Sequence, residues 1–139
     1  LAIGSPWGNT GSAKGFVGIH GATFNFLNST AYLNMLGAKF LTHPPINEFD
    51  YTIENTNHPI MQGVSDFSLN SELYLMETYP EFEVLLSSNY QGFTRPIAWV
   101  KPYGLGRVFY LALGHSVEEV NNESFQKIVL NAINWSANK

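Results

Sequence analysis

The stretch GFVGIHGAT (15–23) constrains the fold more than any other part of the chain. Phe16 to Ile19 runs without polar alternation, the pattern of a central strand covered on both faces. It leads straight into His20, with Gly18 and Ala22 two residues to either side. Small-x-polar-x-small spacing at a strand end is the sequence form of a nucleophile elbow, a sharp strand-to-helix turn that presents one reactive side chain. Elbows normally carry Ser or Cys. This one carries an imidazole.

The elements around that strand indicate an α/β class. Residues 1–14 are rich in Gly, Ser and Asn and are expected to be loop, with Trp7 as an anchor. A helix is predicted from Asn28 or Ser29 to Leu36, capped by those polar residues and stopped at Gly37. Paired prolines in LTHPPINEF forbid regular structure there. Strands are predicted over 49–53, 72–76 and 82–86, with a loop at NTNHPIMQG. The runs 97–100 and 107–113, joined by KPYGLG, read as a hairpin. Gly104 and Gly106 precede a strand and open no helix, so they mark a turn rather than a dinucleotide loop. The last element is a helix over 122–137, with Phe125, Ile128, Val129, Ala132 and Trp135 on one face.

With 139 residues the chain fits one domain, 1–139, with a real core. A net charge of −4 and no Lys/Arg cluster argue against nucleic acid or an anionic membrane as partner. No run approaches the ~18 consecutive apolar residues of a membrane span, so a soluble chain is expected, with its compartment open. The chain has no cysteine, which excludes disulfides, thiolate metal sites and a cysteine nucleophile. Leu1 stands where an initiator methionine would, and LAIGSPWGNTGSAKG resembles neither a signal peptide nor a capped first element. The chain is therefore expected to begin partway through a domain.

Four histidines are present: His20, His43, His58 and His115. None forms a close metal-binding pair such as HxH or HExxH. His20 and His115 each follow an apolar strand, and ligands of open α/β sheets sit beyond the carboxyl ends of strands. Two parallel strands would deliver both rings to one rim. His43 and His58 each precede proline, which holds them extended. His58 reads as a solvated turn residue, and His43 is placed to return over the His20 rim. Glu72 could orient an imidazole, act as a general base or complete a metal shell, or stay an exposed strand residue. Arg107 could clamp a hydroxylated ligand or solvate its turn. Tyr74, Trp99 and Tyr103 could stack on a sugar face or belong to the core.

These segments together resemble the ThuA-like (trehalose utilisation) family over nearly the whole chain. GFVGIHGAT, Phe40-Leu41-Thr42-His43-Pro44, Asn57-His58-Pro59-Ile60-x-x-Gly63, Ser71-Glu72-Leu73-Tyr74, Pro96-Ile97-Ala98-Trp99, the segment from Tyr103 to Tyr110, and Leu113-Gly114-His115 follow in family order. The resemblance implies a flavodoxin-like three-layer α/β/α sandwich of the class I glutamine amidotransferase-like superfamily. Its N-terminal strands are expected to be missing here, which would leave a sheet edge that could pair with a second copy in a homo-oligomer. Amidotransferases carry their catalytic Cys at this elbow, so His20 removes thiol-ester chemistry. Ser116-Val117 replaces the Pro-Glu that follows their catalytic His, and Ser71 stands where family members often have Asp.

The resemblance implies a role in carbohydrate metabolism, on trehalose or a related disaccharide or keto-sugar. The leading expectation is an enzyme in which His20 and His115 exchange protons and Glu72 assists, with His43, Tyr74, Trp99 and Arg107 lining the substrate pocket. A metal-assisted variant would place a divalent ion such as zinc on His20, His43, His115 and Glu72. The alternative is a non-catalytic sugar-binding or regulatory module of a larger glycan-processing protein. A purely structural domain would instead leave His20 and His115 well over ~10 Å apart, since even a water-bridged pair needs only a few ångströms per link.

Overall fold

The computed structural model describes Ala2, Ile3, 14–79 and 81–137. The central strand forms where the apolar run predicts it, at β2 (Gly15–Ile19), after a two-residue strand β1 (Ala2–Ile3) inside the segment expected to be loop. Trp7 lies outside the described residues.

Helix α1 (Thr30–Leu36) is capped by Ser29, whose hydroxyl accepts from the Tyr32 amide, and it ends at Gly37 with φ 100°. Only glycine takes that left-handed conformation without cost. Strands β3 (Ala38–Thr42), β4 (Asn47–Ile53), β5 (Phe67–Ser71) and β6 (Leu75–Thr78) follow. Strands β7 (Glu83–Tyr90), β8 (Phe93–Tyr103) and β9 (Gly106–Leu111) complete the sheet elements. Helices α2 (Val117–Asn121) and α3 (Glu123–Ser136) close the chain. Asn122 caps α3 by accepting from the Phe125 amide, and Phe125, Ile128 and Ala132 bury the predicted face. Between β4 and β5, the His58 imidazole accepts from the Ile60 amide and caps a short 3-10 turn, Pro59–Met61. His58 is thus a capping residue rather than a free surface ring.

Seven strands pair in the order β1-β2-β9-β8-β7-β4-β5, and β3 with β6 forms a separate two-stranded ribbon. Strands β2 and β9 are parallel, with Ile19 opposite Leu111, while the other described pairs are antiparallel. Helices cover both faces. A Cβ on Gly18 would meet Leu36 of α1 at 3.0 Å, whereas one on Gly15 would meet the Ser136 carbonyl of α3 at 2.1 Å. Residues three apart on a strand point to opposite faces, so α1 and α3 lie on opposite sides of the sheet. The result is an α/β/α arrangement around a mixed sheet.

Three expectations change here. Glu72 does not open a strand; it sits just past β5, in the link to β6. The β3–β6 ribbon replaces the predicted 72–76 strand and part of the predicted irregular segment. Trp99 is core: it is 0% exposed, its indole donates to the Leu36 carbonyl at 2.9 Å, and its ring stacks on Phe82 at 4.5 Å. Its size suits the space between α1 and the sheet, and no ligand can reach it.

Candidate active site at the carboxyl rim of β2 and β9

Because β2 and β9 run parallel, both chains leave the sheet at one rim, and their following residues carry the site. His20 takes φ 46°, a left-handed conformation that a non-glycine residue adopts only under local constraint. The constraint is visible. The Tyr110 hydroxyl donates to the His20 carbonyl at 2.7 Å and meets the Thr23 hydroxyl at 2.9 Å. The tight bend brings position 18 so close to Ala22 that a Cβ at Gly18 would lie 3.3 Å from the Ala22 methyl. Small residues at 18 and 22 are therefore a steric requirement of the elbow. A 3-10 turn, His20–Phe24, follows it directly, and α1 begins only at Thr30.

Three imidazoles from three separate segments meet on one carboxylate. His20 Nε2 lies 3.6 Å from Glu72 Oε2, His43 Nε2 lies 2.9 Å from Oε1, and His115 Nδ1 contacts Oε2. The His20 and His115 ring centroids are 5.4 Å apart, well inside the ~10 Å limit that separates a shared pocket from a structural coincidence. The Glu72 side chain is 8% exposed, against 41% for His43 and 45% for His115, so the carboxylate forms the floor and the two rings the mouth. The ribbon register explains how His43 arrives. Thr42 pairs with Leu75, which brings His43 beside the Glu72–Tyr74 segment.

The backbone fixes two ring tautomers. His20 Nδ1 lies 2.8 Å from the Ala112 carbonyl and His43 Nδ1 lies 2.9 Å from the Pro44 carbonyl. A carbonyl oxygen only accepts, so this hydrogen-bond network assigns the proton of each ring to Nδ1. In its neutral form each ring would aim an Nε2 lone pair at a carboxylate oxygen that also has only lone pairs. Glu72 Oε2 is buried without a hydrogen bond of ordinary geometry. An added proton or a cation between ring and carboxylate removes this repulsion.

Tyr74 supports the site from behind. Its ring contacts His20 at 4.1 Å and Phe40 at 4.4 Å, and it is buried. Burial together with Glu72 and Glu119 pushes its hydroxyl pKa up to about 12, so it stays a neutral phenol. It braces His20 and offers no open face to a sugar. Arg107 lies elsewhere. It pairs with Gly15 at the opposite end of β2 and β9, its guanidinium packs 4.7 Å above Trp135, and it lines a separate cleft with Lys14 and Ser136. Four strand steps of ~3.3 Å separate it from the rim, which removes it from the imidazole pocket.

Burial holds the His20 pKa below its ordinary 6.5, outweighing the opposing pull of the Ala112 carbonyl and Glu72. The unfolded chain then binds that proton more readily than the folded one. Stability is complete above pH ~6.5 and falls as pH drops toward the folded-state pKa. Urea titrations between pH 8 and pH 5 should show a shallower acid-side loss for His20→Gln than for the parent chain. Identical slopes would mean that His20 is not held neutral by burial.

Three contributors were not singled out from the sequence: Tyr110, Thr23 and Glu119. Tyr110 reads as one more aromatic in an apolar strand. Glu119 has a signal, the Ser116-x-x-Glu119 spacing of a capping box.

The mixed sheet with helices on both faces, and its likeness to solved structures, is consistent with the class I glutamine amidotransferase-like fold, with an imidazole at the elbow facing a second one from beyond the parallel neighbour strand. Within that fold class the chain belongs to the ThuA family, trehalose utilisation, whose profile matches residues 9–136. Membership supports a carbohydrate-related role. The chain is similar to a ThuA-like protein of Parabacteroides merdae ATCC 43184, with TM-score 0.82, 18% identity, and coverage of 90% of this chain and 61% of that one. A ThuA-like protein of Bacteroides uniformis ATCC 8492 gives TM-score 0.73 and 24% identity, covering 88% and 58%. The cold-adapted β-galactosidase of Rahnella sp. R3 shares the fold over 18% of its chain, with TM-score 0.61 and 14% identity. The chain thus spans about three fifths of the length of the two ThuA-like structures. No curated protein matches it. Among the described residues, no helix is long and apolar enough to cross a membrane.

Proposed function

We propose that the chain carries the reaction centre of a sugar-acting enzyme, working by acid/base chemistry on a keto-sugar or keto-disaccharide. The observation that supports this most is the convergence of His20, His43 and His115 on the buried carboxylate of Glu72. One imidazole removes the proton from the carbon beside the substrate carbonyl, and the second delivers a proton to the carbonyl oxygen. The resulting enediol is either reprotonated at the neighbouring carbon, giving the isomer, or expels a glycosidic oxygen that leaves with a proton. His20, held neutral by burial, suits the proton-accepting step, and His115 at the mouth suits delivery. Glu72 orients both rings and carries the compensating charge, while His43 lines the entrance.

A second reading is favoured by the backbone-fixed tautomer of His20; His43 is not in the group of ligating atoms close enough to share an ion. A divalent ion such as zinc would satisfy the lone pairs of His20 Nε2, His115 Nδ1 and Glu72 Oε2, whose ligating atoms lie within 4.8 Å of one another. The carbonyl-bonded Nδ1 of His20 is the usual outer support of such a ligand.

One experiment separates the readings. Turnover of a keto-disaccharide is measured for the parent chain, for the chain stripped of metal by chelation, and for His20→Ala. The proton-transfer reading expects full rate after stripping and a loss on the order of 100-fold in the variant. A rate lost on stripping and restored by zinc supports the ion. Native rates in His20→Ala would remove His20 from the chemistry, and no turnover by the parent chain would leave a non-catalytic sugar-binding module.

A further inference from the structure

Among the described residues, Glu119 is the most buried acidic or basic side chain, 0% exposed, although it lies in a five-residue helix whose neighbours Glu118 and Val120 face solvent. Its partners come from two segments, one 47 residues away and one just before its own helix. Oε1 accepts from the Glu72 amide at 3.0 Å. Oε2 accepts from the Gly114 amide at 2.6 Å and the His115 amide at 3.1 Å. These three N–H groups lie just beyond β5 and β9, outside the sheet ladder. A carboxylate buried this deeply is tolerated only when its lone pairs are satisfied, and three charge-assisted bonds satisfy them.

We infer that Glu119 is a positioning residue that ties the Glu72 segment to the His115 segment and so sets the distance between the central carboxylate and the imidazole at the mouth. The inference rests on the proposed proton-transfer site for its functional meaning, but the tie itself does not. Among the described residues, no other hydrogen-bonded side chain joins the backbones of Glu72 and His115. The Ser116 hydroxyl accepts from the Glu119 amide at 3.2 Å, which orients α2 so that its third residue points back under the site. On the other side, the Ser71 hydroxyl bonds the Tyr51 hydroxyl at 2.6 Å and donates to the Leu69 carbonyl. Glu72 is thus clamped from both flanks. Gly114, at φ 123°, provides the turn that aims its own amide and the next at one oxygen.

The test uses Glu119→Gln. The amide keeps the shape but puts an NH₂ group against one set of N–H donors, so one segment is released. Nitrogen-15 NMR of the imidazoles should show His115 moving to the tautomer average of a free ring while His20, held by Ala112, keeps its Nδ1–H signature. On a keto-disaccharide, kcat should fall on the order of 100-fold with KM within a few-fold, the pattern of a displaced reacting group. Glu119→Asp, which reaches only one segment, should fall between. In the parent chain, the amides of Glu72, Gly114 and His115 should exchange slowly and as one unit, a readout that needs neither a folded variant nor turnover. Fast or unrelated exchange of these amides, or an unshifted His115 in folded Glu119→Gln, would overturn the inference. An inactive parent chain with co-protected amides would count against the proposed function alone.

Discussion

Glu72→Gln lowers kcat/KM on a keto-disaccharide by on the order of 10³-fold, within the span of general acid/base effects, while the folded structure persists. The asymmetry follows from the tautomers. His43 commits its Nδ1 proton to Pro44, so its Nε2 accepts, and the amide NH₂ of a glutamine donates to it well. The neutral pair stays bonded and the floor of the pocket stays filled. What disappears is the negative charge that holds an extra proton, or a cation, among three rings. Circular dichroism and a thermal midpoint within a few degrees of the parent would show that the fold survives. Full activity in a folded Glu72→Gln would remove the carboxylate from the chemistry.

Trp99→Ala gives the opposite profile: about 3–5 kcal/mol of lost stability, with sugar affinity of the remaining folded protein unchanged. The indole is fully enclosed and touches Tyr110 at 4.7 Å as well as Phe82. Its removal leaves a cavity and strips the Leu36 carbonyl of its donor at the end of α1. Against a total stability of roughly 5–15 kcal/mol, this shifts the melting temperature by roughly 10 °C or more. A residue that stacked on substrate would instead lose affinity at little cost in stability. Urea denaturation read beside ligand titration distinguishes the two.

The same contrast explains what the sequence made legible. GFVGI and RVFYL are largely apolar because both faces are covered, so the two strands could be read from the sequence, and with them the rim they share once they run parallel. The Ser29 cap and the Gly37 stop are local chemistry, and both were readable. The β3–β6 ribbon was not. AKFLT and LMET mix polar and apolar residues without a clean period, because the ribbon stands outside the main sheet and is covered only in part. Trp99 and Arg107 were drawn toward the pocket by residue type, and only register shows that one is sealed and the other sits at the far end. Glu119 was passed over because a charge in VEEVN reads as surface, and its three partners lie up to 47 residues away.

The ribbon also divides the pocket mechanically. His20 and His115 hang from the interior strands of a seven-stranded sheet, whereas His43 hangs from a pair of strands that would be marginal alone. Glu72, held through Ser71 and Glu119, belongs to the stiff half. A small shift at the β3 end would therefore move His43 off the carboxylate while His20 and His115 keep their spacing. Under the proposed function, such a shift would widen the entrance for a disaccharide and leave His20, His115 and Glu72 in place.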